Sequence, residues 1–219
     1  MAKAVFLDYF GTILQENGVD MQQMLSRVIA NSSADDEKKL LAWWMKNLQS
    51  LELSAHGENY ITEEEISLKL LMMAEKEFGL RDDLAELRQM NISGWMYAPI
   101  FTDVKRFLEQ CERPVYIITN NSDKYVRVCL KRNELHVHGI ICGDMVKSYK
   151  PNPEIFQKAL EIAGVDAADA VHIGDSPVAD VEGARSVGIT PILLDRKGRY
   201  DDVYNCRRIS NLMGALRSI

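Results

Sequence analysis

The chain has 219 residues, a formal net charge of −6, 47% hydrophobic and 26% charged residues. These are globular proportions, and the acidic balance argues against non-specific nucleic-acid binding, which needs a basic face, while leaving room for a locally positive pocket for an anion. No apolar run approaches the ~20 residues that span a bilayer, and the amino terminus runs into a strand-like stretch with no leader pattern, so a cytoplasmic protein without membrane contact is expected.

Ala4-Val5-Phe6-Leu7 is a short apolar run ending in Asp8, with a glycine turn at Gly11. Such a run reads as a buried strand of a parallel sheet, with Asp8 at its carboxyl end, the edge where open α/β sheets bind ligands. From about Asp20 to Met96 the pattern turns helical. Met21, Met24, Leu25, Val28 and Ile29 share one face; Leu40, Leu41, Trp44, Leu48 and Leu51 share another. Asp35, Asp36 and Glu37 suit a helix start, and Gly57 breaks that helix. Thr62 and Glu65 have capping-box spacing, and Gly79 stops the helix they open. Asp82-Asp83 opens a fourth helix carrying Leu84, Leu87, Met90 and Trp95. The Met and Trp residues here read as core rather than as ligands.

From Pro99 strands and helices alternate. Phe101–Cys111 reads as a helix, 114–118 as a strand ending in Thr119-Asn120, and 122–132 as a helix. Gly139–Cys142 reads as a strand, followed by a loop holding Lys150. A helix then runs from Pro153 to Ala163, with Asn152 as its cap. Ala170–Ile173 is a strand ending in Gly174-Asp175; Ser176-Pro177 starts a helix that Gly188 ends. Thr190–Leu194 is a fifth strand, and Ile209–Leu216 a last helix. The alternation predicts an α/β fold, a Rossmann-like parallel sheet of about five strands with flanking helices. The four-helix insertion is expected to sit as a cap above the strand carboxyl ends, since the chain leaves and returns there. The four cysteines are widely spaced without a metal-ligand pair and read as free thiols in a reducing compartment.

Asp8, Thr119 with Asn120, Lys150, and Asp175 with Asp180 therefore gather at one sheet edge. Each alone is ordinary turn or cap chemistry. Together they suit phosphoryl transfer through an aspartyl intermediate. Asp8 is a competent nucleophile, and Asp8 and Asp175 supply two hard oxygen ligands for Mg²⁺. Thr119 and the backbone N–H after it can bind phosphoryl oxygens, and Lys150 can neutralise charge on them. Asp180 can hold Lys150 or a metal-bound water. His172, inside a strand, reads as a satisfied core histidine.

Asp8-Tyr9-Phe10-Gly11-Thr12, Thr119-Asn120, Lys150 and Gly174-Asp175-Ser176 followed by Asp180 resemble the four ordered motifs of the haloacid dehalogenase-like hydrolase superfamily. The resemblance covers essentially the whole chain. It implies a catalytic core of residues 1–17 and 97–219 and a small α-helical cap of residues 18–96. It further implies Mg²⁺, held in part by the backbone carbonyl of Phe10, Thr12 in a supporting place, and a small phosphorylated metabolite as substrate. One position departs. The family's phosphatases carry a second aspartate, the acid–base, where this chain has Phe10. The family's 2-haloacid dehalogenases have an aromatic residue there but lack the metal aspartate that this chain keeps as Asp175. The expectation is a Mg²⁺-dependent phosphatase whose rate depends steeply on the leaving group. A 2-haloacid dehalogenase and a catalytically weak phospho-ligand-binding or regulatory protein are its rivals.

Overall fold

The computed structural model describes residues 2–200, 205–217 and 219. Its strands are β1 (Ala4–Leu7), β2 (Val115–Thr119), β3 (Gly139–Cys142), β4 (Ala170–Gly174), β5 (Thr190–Leu194) and β6 (Arg207–Ile209). They form one sheet in the order β3-β2-β1-β4-β5-β6, every pairing parallel. The order turns back on itself between β1 and β4. A parallel sheet opens a crevice at such a switch point, beyond the strands' carboxyl ends.

The strands are buried on both faces, which is why they read as continuous apolar runs. Val5 and Leu7 of β1 pack on one side with Val104, Phe107, Val126 and Leu130. Phe6 points the other way, to Ile155, Phe156 and Ala159. The flanking helices are α5 (Val104–Gln110), α6 (Asp123–Arg132), α7 (Gly143–Val146), α8 (Pro153–Ala163) and α9 (Gly183–Ser186), with a π-helical turn over Pro177–Glu182.

Between β1 and β2 run α1 (Val19–Ala30), α2 (Glu37–Ser54), α3 (Glu63–Phe78) and α4 (Leu84–Tyr97). They bury a core of their own that includes Met24, Leu40, Trp44, Ile66, Leu70 and Leu87. Local signals place their ends. Asp36 caps α2 by accepting from Lys39 N at 2.9 Å. Thr62 and Glu65 complete the capping box of α3, and Gly79 closes it at φ 65°.

Two expectations change. The segment Ile209–Leu216 is not a helix. Arg207–Ile209 pairs with β5, burying Ile209 and leaving both arginines exposed, and only Leu212–Ala215 forms a 3-10 turn. Its apolar residues mimic a helix face, but Ser210, Asn211 and Gly214 are poor helix formers in so short a span, and β5 offers a free edge. Asn152 precedes α8 without a side-chain cap bond, leaving Pro153 at the first helical position as the local start signal. The cysteines are free, with Cys129 and Cys142 buried. Among the described residues no helix is long and apolar enough to cross a membrane.

Candidate active site

The switch point between β1 and β4 holds Asp8 and Asp175, each one residue past its strand. Asp8 N donates to Ile173 O at 2.9 Å, tying the two strand ends together. Gly11 turns the chain at φ +93°, and a Cβ there would lie 2.5 Å from Asp175 Oδ2, so two constraints demand glycine. Gly174 is equally constrained, because a side chain would overlap the Asp180 carboxylate folded against the strand end.

Lys150 reaches this crevice from the loop after β3. Its Nζ donates to Asp8 Oδ1 and Asp180 Oδ1, both at 2.6 Å, and all three residues are buried. Asp180 is fully occupied. Its Oδ1 also accepts from His172 Nε2 at 2.9 Å, and its Oδ2 from Ser176 N at 2.9 Å. Burial opposes its charge, but Lys150 and His172 overcome that and hold its carboxyl well below the usual range. Burial likewise opposes the charge on Lys150, and Asp180 and Asp8 outweigh it, raising the ammonium. His172 is thus a core histidine with a partner, as its apolar neighbours imply.

Asp8, Asp175 and Asp180 present carboxylate oxygens within 4.8 Å of one another. Asp8 Oδ2 is buried with no hydrogen-bond partner. Burial raises the Asp175 carboxyl well above its ordinary range, and the charges of Asp8 and Asp180 add to this; Asp8 is also raised, burial first, against the pull of Lys150. Crowded, under-partnered carboxylate oxygens fit a hard divalent cation, which reverses that repulsion. Since Asp180 is saturated, Asp8 and Asp175 are the carboxylates free to hold it.

Thr119 is buried, its hydroxyl accepting from Asn121 N at 3.0 Å. The Asn120 side chain is turned to the Lys150 backbone, accepting from Lys150 N at 2.8 Å and donating to Lys150 O at 3.4 Å, so it positions Lys150. Thr12 is buried, its hydroxyl without a partner and its carbonyl accepting from Arg196 at 2.9 Å. The Phe10 ring packs with Ile92, Trp95 and Met96 of α4 and with Tyr125, an apolar setting hostile to a carboxylate.

The helices α1–α4 bring groups here that the sequence reading did not single out. Glu63, at the start of α3, accepts from the Asn121 side chain and from Ser122 N at 3.2 Å. Burial raises its carboxyl well above the usual range. Glu64 accepts from Lys124 and Tyr125. Tyr149, beside Lys150, inserts into the helical core and donates to Ile61 O at 2.8 Å. Glu52, in the last turn of α2, is half-buried, and burial pushes its carboxyl up. Its only sequence signal was a charge inside an otherwise apolar helix end.

A family model for haloacid dehalogenase-like hydrolases matches residues 2–188. The chain is 23% identical over 201 residues to (S)-2-haloacid dehalogenase 4A of Burkholderia cepacia, covering 90% of this chain and 84% of that one. It is 33% identical over 129 residues to Phosphatase MT3486 of Mycobacterium tuberculosis, covering 56% of each, so the match spans about half of that relative. YfnB from Bacillus subtilis, in a crystal form bound to magnesium, has the same fold at a TM-score of 0.78 and 19% identity, covering 99% of this chain and 97% of that one.

Proposed function

The chain belongs to the haloacid dehalogenase-like hydrolases, and from that premise we propose that it is a Mg²⁺-dependent phosphatase acting on a small phosphorylated metabolite through a phosphoaspartate at Asp8. The observation that carries this reading is the division of labour among the three aspartates. Asp180 is saturated by Lys150, His172 and Ser176, while Asp8 keeps a buried, unpartnered Oδ2 beside Asp175. A dehalogenase has no need of a second carboxylate at the metal position.

Asp8 attacks phosphorus with one carboxylate oxygen. Lys150 keeps Asp8 ionised and faces the charge that gathers on the phosphoryl oxygens. The Thr119 hydroxyl and the backbone N–H groups of the following turn receive those oxygens. Asp8, Asp175 and the Phe10 carbonyl would hold the Mg²⁺, which when bound supplies charge neutralisation to the phosphoryl group. Water then attacks the phosphoaspartate and frees Asp8. Residues 18–96 serve as the cap and residues 1–17 and 97–219 as the catalytic core; the contacts of Glu63, Glu64 and Tyr149 across the two support that division. The net charge of −6 favours a small-molecule over a nucleic-acid partner, and the buried free thiols Cys129 and Cys142 fit a cytoplasmic setting.

The second reading, a 2-haloacid dehalogenase, is favoured by Phe10 and by the Burkholderia relative. One pair of assays decides. Mg²⁺-dependent, chelator-sensitive release of nitrophenolate from nitrophenyl phosphate supports the phosphatase. Chelator-resistant chloride release from a 2-chloro acid, with no phosphatase activity, overturns it. Binding of phosphate esters without either turnover would select the regulatory alternative.

A further inference from the structure

The turn after β2 sends three successive residues to three places. Thr119 ends β2, the strand beside β1, and its hydroxyl is the group the phosphatase reading gives to the phosphoryl oxygens. Asn120 is spent on Lys150, accepting from its N at 2.8 Å and donating to its O at 3.4 Å. Asn121 is buried and turns to the helical insertion, where its Nδ2 donates to Glu63 Oε1. Ser122 N donates to the other oxygen, Glu63 Oε2, at 3.2 Å. Both donors sit on one continuous stretch of backbone, so one carboxylate grips the turn at two points.

Glu63 is the first residue of α3, and Ser122 directly precedes α6, so two helix amino termini meet at this carboxylate and favour its charge. Burial raises the carboxyl, with Glu52 and Asp144 adding, and the bonds from Ser122 and Asn121 oppose that rise. A carboxylate only accepts, so it decides which way the Asn121 amide lies. With Nδ2 held by Glu63, Oδ1 faces the Thr119 hydroxyl at 3.4 Å, while Asn121 N donates to the same hydroxyl oxygen at 3.0 Å. One lone pair of that oxygen is thereby fixed. Its proton has only a long partner, which a charged phosphoryl oxygen readily replaces.

Resting on the phosphatase reading, we propose that Glu63 is a positioning residue: acting through Asn121, it orients the Thr119 hydroxyl for the phosphoryl group, so that the phosphate-receiving turn is set when α1–α4 are seated on the core. Glu63 touches no reacting atom in this role. Its neighbour Glu64 supplies the contrast. Glu64 bonds Lys124 and Tyr125 further along α6, holding the same two helices together by a route that bypasses Asn121 and Thr119. Substitution at Glu63 and at Glu64 therefore separates orientation of the turn from attachment of the helices.

The test is a double-mutant cycle in kcat/KM on nitrophenyl phosphate with Mg²⁺ saturating, built from Glu63→Gln and Thr119→Val. Glu63→Gln keeps the size of the side chain but offers a nitrogen to Asn121, which lets the Asn121 amide turn over. Alone it should lose roughly 5–50-fold, the coupling found within one hydrogen-bond network, and the loss should persist in kcat at saturating substrate. In the Thr119→Val background the same substitution should cost less than about 2-fold. Asn121→Ala removes the middle of the relay and should show the same pattern. Glu64→Ala should lose equally in both backgrounds, as a contact that only attaches the helices does. A Glu63→Gln loss of equal size with and without the Thr119 hydroxyl, or one confined to KM, overturns the assignment. A wild type that turns over no phosphate ester overturns the phosphatase reading and this assignment with it, a result distinct from equal losses in an active enzyme.

Discussion

On the proposed phosphatase reading Asp8 and Lys150 are the residues on which the chemistry turns, and their pairing is also structural. Asp8→Asn preserves shape but removes the nucleophile. Turnover should fall by several orders of magnitude with the fold retained, checked by circular dichroism beside steady-state assay. Near-wild-type turnover would exclude covalent catalysis. Lys150→Met strips two buried carboxylates of their cation, a change that costs about 3–5 kcal/mol. The penalty is pH-dependent in a defined sense. The depressed Asp180 carboxyl contributes stability above its unfolded value, about 3.9, and loses it as pH falls. Denaturation midpoints of wild type and Lys150→Met should therefore converge as pH drops toward 3 and diverge at pH 7. Phe10 belongs to an apolar cluster with Ile92, Trp95 and Tyr125, which explains why an acid at this position would be poorly housed.

At the scale of elements, helices α1–α4 meet the core through α4, whose Ile92 and Trp95 pack with Tyr125 of α6, and through polar contacts at the start of α3. Glu63 accepts Ser122 N at the start of α6, and Glu64 meets Lys124 and Tyr125 on the same helix. These contacts form a latch. The exposed pair Lys124–Glu64 contributes little alone; the half-buried Glu63 contributes more. Glu63→Ala should shift the helical unit toward an open arrangement, seen as a larger radius of gyration by small-angle scattering and a raised KM. An unchanged scattering profile would mean that the helices are held by other contacts. The raised Glu52 carboxyl has the opposite sign to Asp180. The folded state holds its proton more tightly than the unfolded chain, so its contribution is present at low pH and is lost as pH rises from about 4.5 to about 7. Thermal midpoints of wild type should therefore decline more between pH 5 and pH 8 than those of Glu52→Gln.

For the whole molecule, the crowding of Asp8 and Asp175 is expected to make stability respond to a divalent cation. A ligand at one hundred times its Kd contributes about 2.7 kcal/mol, which is about 5–10 °C in Tm for a domain of this size. Saturating Mg²⁺ should raise the thermal midpoint by that amount, chelation should reverse it, and Asp175→Asn should abolish the response. A midpoint indifferent to Mg²⁺ would count against the metal site. The sheet order β3-β2-β1-β4-β5-β6 is what permits this coupling. It sets strands that are distant in sequence side by side, so that their terminal carboxylates share one crevice.

The sequence by itself determined whatever rests on local pattern. The apolar run into Asp8, the alternation of strands and helices after Pro99, the Thr62–Glu65 box and the αL glycines Gly79 and Gly164 are set by residues within a few positions of one another. Their burial period and turn chemistry are therefore legible in one dimension. The order of motifs also placed Asp8, Thr119, Lys150, Asp175 and Asp180 at one sheet edge, because parallel strands all end on the same side. The tertiary structure decided what depends on packing between distant segments. Residues 207–209 became a strand because β5 left an open edge, a fact invisible in their own composition. Asp180 was separated from Asp8 and Asp175 by which donors filled its oxygens. Glu52 and Glu63 look in sequence like solvated charges on helix faces. Only the docking of their helices on the core desolvates them, and desolvation is what raises their carboxyls above the ordinary range.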